Sequence, residues 1–220
     1  MTDEERLITF INSFNPGNTP FLNELERYAK ETNVPVIRPS MQSFIKVILS
    51  LKKPKKILEV GTAIGFSALL MAQYNPVSCH ITTIENYEKR IPLAKENFKK
   101  AGMEDTIKLI EGNAAEILPA LDDAYDFIFM DAAKGQYIHF LPDIVRLLAP
   151  EGVLISDNVL QEGNVLRSRF AVVRRDRTIH SRMRDYLFAL SREPELTTDI
   201  LPVGDGITFS VKRKITENKQ

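Results

Sequence analysis

The sequence predicts an α/β fold: a doubly wound, mostly parallel seven-stranded sheet that ends in an antiparallel C-terminal hairpin. Three observations carry this expectation. Five short apolar runs, at 56–60, 80–85, 107–111, 127–131 and 153–156, alternate with stretches of helical periodicity. Strands separated by helices lie parallel, with both faces of the sheet covered. Two further runs, 197–203 and 207–212, flank Gly204-Asp205-Gly206, which reads as a tight turn. The third observation is composition: 220 residues, 44% hydrophobic and 26% charged, match a chain that buries one sizeable core.

In chain order, residues 3–15 and 20–32 read as helices, the second begun by Thr19 ahead of Pro20. Residues 34–39 form an extended link bounded by prolines. Met41, Phe44, Ile45, Ile48 and Leu49 then mark the apolar stripe of a helix over 40–51. Helices near 66–74, 87–101, 114–121, 135–148 and 179–191 separate or follow the strands. The expected organisation is one domain over 1–220, with N-terminal helices at 1–33 and a basic insertion near 161–185.

Several classes are excluded at this level. The single cysteine, Cys79, cannot form an intramolecular disulfide, and there is no cysteine cluster for zinc. The start MTDEERLITFINSF lacks the basic segment of a signal peptide, and no stretch approaches the apolar length of a membrane span. A cytoplasmic protein without a membrane partner is expected. Lys+Arg and Asp+Glu balance at 29 each, yet seven of the 14 arginines fall between positions 167 and 184, where Asp176 is the one acid. Averaged charge therefore conceals a basic segment. A smaller basic run, Lys52, Lys53, Lys55 and Lys56, reads as a solvated helix-to-strand turn.

The residues that carry chemistry sit at predicted strand ends. Gly61-Thr62-Ala63-Ile64-Gly65 closes the first strand and opens a helix. Glycines there allow a sharp turn and close approach of backbone to a ligand, but the loop alone is equally a structural turn. Glu85 ends the second strand, 20 residues beyond Gly65. An acid at that place accepts hydrogen bonds from ribose hydroxyls in doubly wound folds; alone, it would read as a solvated strand end. Asn113 follows the third strand and can serve an adenine ring, cap the next helix, or do both. Asp131 ends the fourth strand, and Asp157 and Asn158 end the fifth. Strand C-termini line one crevice in such sheets, so these three converge as oxygen ligands suited to a hard divalent ion. Lys134, three residues after Asp131, is placed to act as a base.

Glu59-Val-Gly-Thr-Ala-Ile-Gly65-Phe-Ser67, Ile84-Glu85, Asp131-Ala-Ala-Lys134, Asp157-Asn158-Val159 and Pro202-Val-Gly-Asp-Gly206, in this order and spacing, resemble the cation-dependent O-methyltransferase family of class I AdoMet-dependent enzymes. Catechol and caffeoyl-CoA O-methyltransferases belong to it, and the resemblance runs from about residue 30 to 213. Val34-Pro35, the run 54–59, Asp131-Ala-Ala-Lys-Gly-Gln-Tyr137 and Ile200-Leu-Pro-Val-Gly-Asp-Gly206 are most similar to the bacterial branch that methylates 5-hydroxyuridine at the tRNA wobble position.

The resemblance implies a Rossmann-like fold and AdoMet held by Ile37, Gly61, Ser67, Glu85, Asn113, Ala114 and Asp131. It implies Mg²⁺ or Mn²⁺ on Asp131, Asp157 and Asn158, catalysis by Lys134 with Asp131, and a homodimer. Two residues depart from the family pattern: Asn113 stands where Asp is frequent, and Ala133 where the plant enzymes have a second Asp. The expected reaction is methyl transfer to the 5-hydroxyl of 5-hydroxyuridine in tRNA. The 5-hydroxyl and 4-carbonyl of that base chelate as the two oxygens of a catechol do. Arg167, Arg169, Arg174, Arg175 and Arg177 are expected to grip phosphates, with Phe170 stacking on a base. The alternative is a small-molecule O-methyltransferase acting on catechol-like phenols.

Overall fold

The computed structural model describes residues 3–214. Helices α1 (Asp3–Ser13), α2 (Pro20–Glu31) and α3 (Pro39–Lys52) precede the sheet. The Thr19 side chain accepts from the Leu22 N–H and Pro20 fills the first turn, so α2 starts where its residues require. The order continues as β1 (Lys56–Val60), α4 (Phe66–Tyr74), β2 (His80–Glu85), α5 (Ile91–Lys100), β3 (Ile107–Glu111), α6 (Ala114–Ala120) and β4 (Tyr125–Met130). It closes with α7 (Tyr137–Leu147), β5 (Leu148–Ser156), α8 (Arg177–Arg192), β6 (Leu196–Leu201) and β7 (Ile207–Lys212).

The seven strands form one sheet in the order β3-β2-β1-β4-β5-β7-β6. Strands β1 to β5 pair in parallel, and β7 runs against both β5 and β6. Side chains alternate across the sheet. Ile57, Phe127, Phe129 and Ile155 pack with α2, α3 and α4 on one face; Leu58, Ile128, Met130 and Leu154 pack with α7 and α8 on the other. Burial on both faces is why the central strands read as unbroken apolar runs rather than alternating ones. Strand order reverses between β1 and β4, and this switch point opens a crevice beyond their C-terminal ends.

The C-terminal hairpin differs from a simple antiparallel edge. β7 is inserted between β5 and β6, which leaves β6 outermost and codirectional with the first five strands. The insertion follows burial: Ile207, Thr208 and Ser210 of β7 are buried, whereas Leu196 alone is buried in β6 and half of that strand is exposed.

Other boundaries shift for local reasons. β5 starts at Leu148, ahead of the expected 153, and pairs Leu148 with Tyr125 before a register shift. Glu151 at φ 61° and Gly152 absorb the irregularity. β4 spans 125–130, so Asp131 lies just beyond it. The expected 87–101 helix begins at Ile91, and the expected 135–148 helix is a one-turn 3-10 helix, Lys134–Gln136, followed by α7. Among the described residues, no helix is long and apolar enough to cross a membrane.

Candidate active site

The glycine loop after β1 is shaped by two positions that tolerate no side chain. Gly61 has φ 105°, and a Cβ there would overlap the Asp131 carbonyl oxygen, so glycine lets the ends of β1 and β4 meet. Gly65 has φ 85°, and its Cβ would overlap the Phe98 ring of α5. The Gly61 and Thr62 N–H groups donate to the Ile84 carbonyl, at 3.0 and 3.2 Å.

Glu85 then locks the loop. Its Oε2 accepts from the Ala63 N–H at 2.7 Å, and its Oε1 from the Asn86 and Tyr87 N–H groups at 3.0 and 2.9 Å. A carboxylate has about four lone-pair positions, so roughly one is left on Oε2 for a ligand. Beyond the ligand role expected from its place at the strand end, Glu85 therefore also braces the loop.

Beneath the loop, Glu59 is fully buried. It accepts from Ser67 Oγ, and from Thr83 Oγ1 at 2.5 Å. Burial pushes its carboxyl up to about 8, and these two hydroxyls only partly oppose the shift.

The loop forms the floor of a cleft of about 550 Å³. Ile37, Gly61, Ser67, Glu85, Asn113, Ala114 and Asp131 all line it, as do Lys134, Asp157 and Asn158. Ile37 is fixed by Gln42, whose amide donates to the Ile37 carbonyl at 2.9 Å and accepts from Asn18 at 2.7 Å. Asn113 caps α6, its Oδ1 accepting from the Ala115 N–H at 3.1 Å. Tyr87, Arg90, Gln136 and Phe140 also line the cleft and were not anticipated. Tyr87 and Gln136 stand close to Glu85 and Lys134 in sequence, the one signal that could have found them. The Arg90 guanidinium lies 5.1 Å from the Tyr87 ring centre.

At the far end of the cleft, Lys134 Nζ stands 3.1 Å from Asp131 Oδ1, each side chain a little over a quarter exposed. Asp157 is 1% exposed. Burial pushes its carboxyl up to about 6, and the Asp131 charge adds to the rise. Against this, Oδ1 accepts from the Asn158 N–H at 2.7 Å. Asn158 adopts φ 57°, a left-handed turn that asparagine tolerates better than most residues.

Two carboxylates facing one spot, one of them buried, leave negative charge that a cation would relieve. Among the described residues no three His, Cys, Asp or Glu side chains cluster; here the third donor is an amide. Two carboxylates and an amide oxygen fit a hard divalent ion that keeps open positions for water or substrate.

The arginine segment divides into two groups. Arg177 is partly buried and donates to the carbonyls of Val172 at 3.1 Å and Phe170 at 3.3 Å. Arg184 donates to the Val165 carbonyl at 3.1 Å, and Arg182 to the Gly135 carbonyl at 3.2 Å. His180 Nε2 meets the Arg167 carbonyl at 3.0 Å. These contacts fold the segment into three one-turn 3-10 helices ahead of α8. Arg167, Arg169, Arg174 and Arg175 are exposed, beside Phe170 at 84% exposure. Arg177, grouped with the phosphate-facing arginines in the sequence, is instead turned inward. None of the five lines the cleft.

A doubly wound sheet with a ligand cleft at its switch point, a glycine loop and an acid at the end of β2 defines a Rossmann-like, nucleotide-binding class of protein. The O-methyltransferase family profile matches residues 12–214, and the chain belongs to that family. It is 32% identical over 142 residues to a catechol O-methyltransferase of Niastella koreensis, an alignment covering 62% of this chain and 64% of that protein. It is 32% identical to caffeoyl-CoA O-methyltransferase 2 of Populus trichocarpa, covering 76% of this chain and 70% of the relative. The SAH-bound Podospora anserina methyltransferase PaMTH1 superposes with a TM-score of 0.87 at 26% identity, over 97% of each chain.

Proposed function

We propose that this chain transfers the methyl group of AdoMet to a hydroxyl that stands beside a second oxygen on a small, catechol-like phenol, with a divalent cation. The observation that carries this reading is the convergence of Asp131, Lys134, Asp157 and Asn158 at one end of the cleft whose floor is the glycine loop. The names of the catechol and caffeoyl-CoA relatives support the same reading.

AdoMet would lie over Gly61 with its ribose toward Glu85 and its adenine toward Asn113 and Ala114. Ser67 and Asp131 would hold the amino-acid end, and Ile37 would cover it. Asp131, Asp157 and Asn158 would hold Mg²⁺ or Mn²⁺, which supplies Lewis acidity that lowers the pKa of a bound hydroxyl. Lys134 Nζ, beside Asp131, would take the hydroxyl proton when it stands as the free amine, becoming the ammonium. The cleft walls would fix substrate oxygen and methyl donor in one arrangement, turning a bimolecular encounter into a positioned step.

A second reading places 5-hydroxyuridine of tRNA in the same site, because its adjacent oxygens chelate alike. The specific support is the exposed set Arg167, Arg169, Arg174 and Arg175 with Phe170, held on a folded rather than loose segment. Parallel assays with labelled AdoMet separate the two. Turnover of 3,4-dihydroxybenzoate with tRNA left unlabelled supports the phenol reading. Labelling of 5-hydroxyuridine-containing tRNA with phenols ignored would replace it with the tRNA reading.

A further inference from the structure

Tyr137 is fully buried at the first position of α7, directly after the turn that carries Lys134. Its phenol oxygen lies 3.0 Å from the Met130 carbonyl and 3.1 Å from the Asp157 carbonyl. Met130 is the last residue of β4, and Asp131 follows it; Asp157 follows the last residue of β5. The Met130 carbonyl also accepts from the Asp157 N–H at 2.9 Å. One hydroxyl therefore spans the two strand ends that present the acidic donors, and its own backbone continues from the lysine turn. The Tyr137 ring is fixed edge-on against Tyr186, with centroids 5.4 Å apart and an interplanar angle of 77°.

A phenol has one proton to donate, shared between two carbonyls that both lie within reach. The Met130 carbonyl keeps a ladder bond from the Asp157 N–H, so the phenol is its second donor; a buried carbonyl with no donor costs free energy. The position of the phenol thus sets the spacing of Met130 and Asp157, and with it the spacing of the Asp131 and Asp157 side chains. Groups behind metal ligands act this way by orienting the ligands rather than touching the ion.

We infer that Tyr137 is a positioning residue that sets the separation of Asp131 and Asp157, and so tunes how tightly the cleft holds a divalent cation. The inference rests on the cation reading above.

The test compares Tyr137→Phe with Tyr186→Phe. Each removes one phenol oxygen from a fully buried ring, but Tyr186 bonds Ser156 Oγ at 2.6 Å rather than a backbone carbonyl. Mn²⁺ binding is read by electron paramagnetic resonance and AdoMet binding by calorimetry. Tyr137→Phe should weaken Mn²⁺ binding by about tenfold, with a smaller loss of AdoMet affinity because only Asp131 serves both ligands, while Tyr186→Phe leaves both near the parent. Equal Mn²⁺ affinity in parent and Tyr137→Phe would overturn the inference. So would a matched loss of cation and cofactor binding in both variants, which is the mark of general destabilisation.

If the parent itself binds no Mn²⁺, the cation reading fails, and amide hydrogen exchange judges the geometric inference alone. Faster exchange at the Asp131 and Asp157 N–H groups in Tyr137→Phe, with Gly61 and Ala63 unchanged, would uphold it. Unchanged exchange at all four would overturn it.

Discussion

At the scale of single residues, Glu59 and Glu85 show how one residue type serves opposite ends. Glu59 is enclosed, and its carboxyl rises from an ordinary 4.5 to about 8. A folded-state value above the unfolded one means its contribution to stability is complete below about 4.5 and is lost as pH climbs through about 8. Calorimetry should therefore find the parent less stable at about pH 9 than at about pH 6, and Glu59→Gln should shrink that drop by an amount on the order of a few kcal/mol. An identical pH dependence in the two proteins would contradict the buried-acid account.

Glu85 works by hydrogen bonds instead. Glu85→Ala should weaken AdoMet binding about ten- to a hundredfold, because a bond to a charged acceptor is worth roughly 1.5–3 kcal/mol. It should also lower thermal stability, because three backbone N–H groups lose their acceptor. Calorimetry and thermal melts of one preparation check both; unchanged AdoMet affinity would leave Glu85 with its structural duty alone.

At the scale of elements, the strand ends were legible in the sequence because their chemistry is local: an apolar run, then Glu, Asn or Asp. Glycines 61 and 65 were legible as a loop, but the partners that forbid a side chain, the Asp131 carbonyl and the Phe98 ring, come from β4 and α5. Gly65→Ala should cost roughly 2–4 kcal/mol, combining left-handed strain with the clash. Adding Phe98→Leu should recover only the clash portion, which a double-mutant cycle by urea unfolding would isolate.

Tyr137 was illegible for a similar reason, since its partners are backbone atoms of two distant strands. The same holds for the arginine segment, where composition alone does not tell a clamp from a free cation. Arg177→Ala should reduce stability by about 1 kcal/mol, by leaving two carbonyls without a donor. The triple change of Arg169, Arg174 and Arg175 to Ala should leave the melt unaltered. On the tRNA reading, that triple change should also flatten the salt dependence of RNA binding by roughly 0.7–0.9 per lost phosphate contact. Filter binding across a salt series reads this slope, and an unchanged slope would remove the segment from the RNA-binding account.

At the scale of the whole molecule, the parallel order of β1 to β5 brings together groups scattered over more than half the chain. Residues 61, 85, 113, 131 and 157 meet in one cleft because every contributing strand ends on the same side, and Ile37 joins them from the link before α3. The inserted β7 supports that side as well. The turn between β6 and β7 accepts from the loop after β5, with the Val159 N–H on the Gly206 carbonyl at 2.9 Å and the Leu160 N–H on the Asp205 carbonyl at 3.0 Å. The sequence showed the hairpin but not its place, since strand count does not say which partner of a hairpin enters the sheet; the burial of β7 decided it.

If Asp131, Asp157 and Asn158 assist methyl transfer through a bound cation, removing that cation must stop the transfer. The most direct measurement is transfer of labelled methyl from AdoMet to 3,4-dihydroxybenzoate, before and after chelation with EDTA and after adding back Mg²⁺ or Mn²⁺. EDTA should abolish transfer and the added ion restore it, with Asp157→Ala inactive while still binding AdoMet. Full transfer by the metal-stripped enzyme would contradict it.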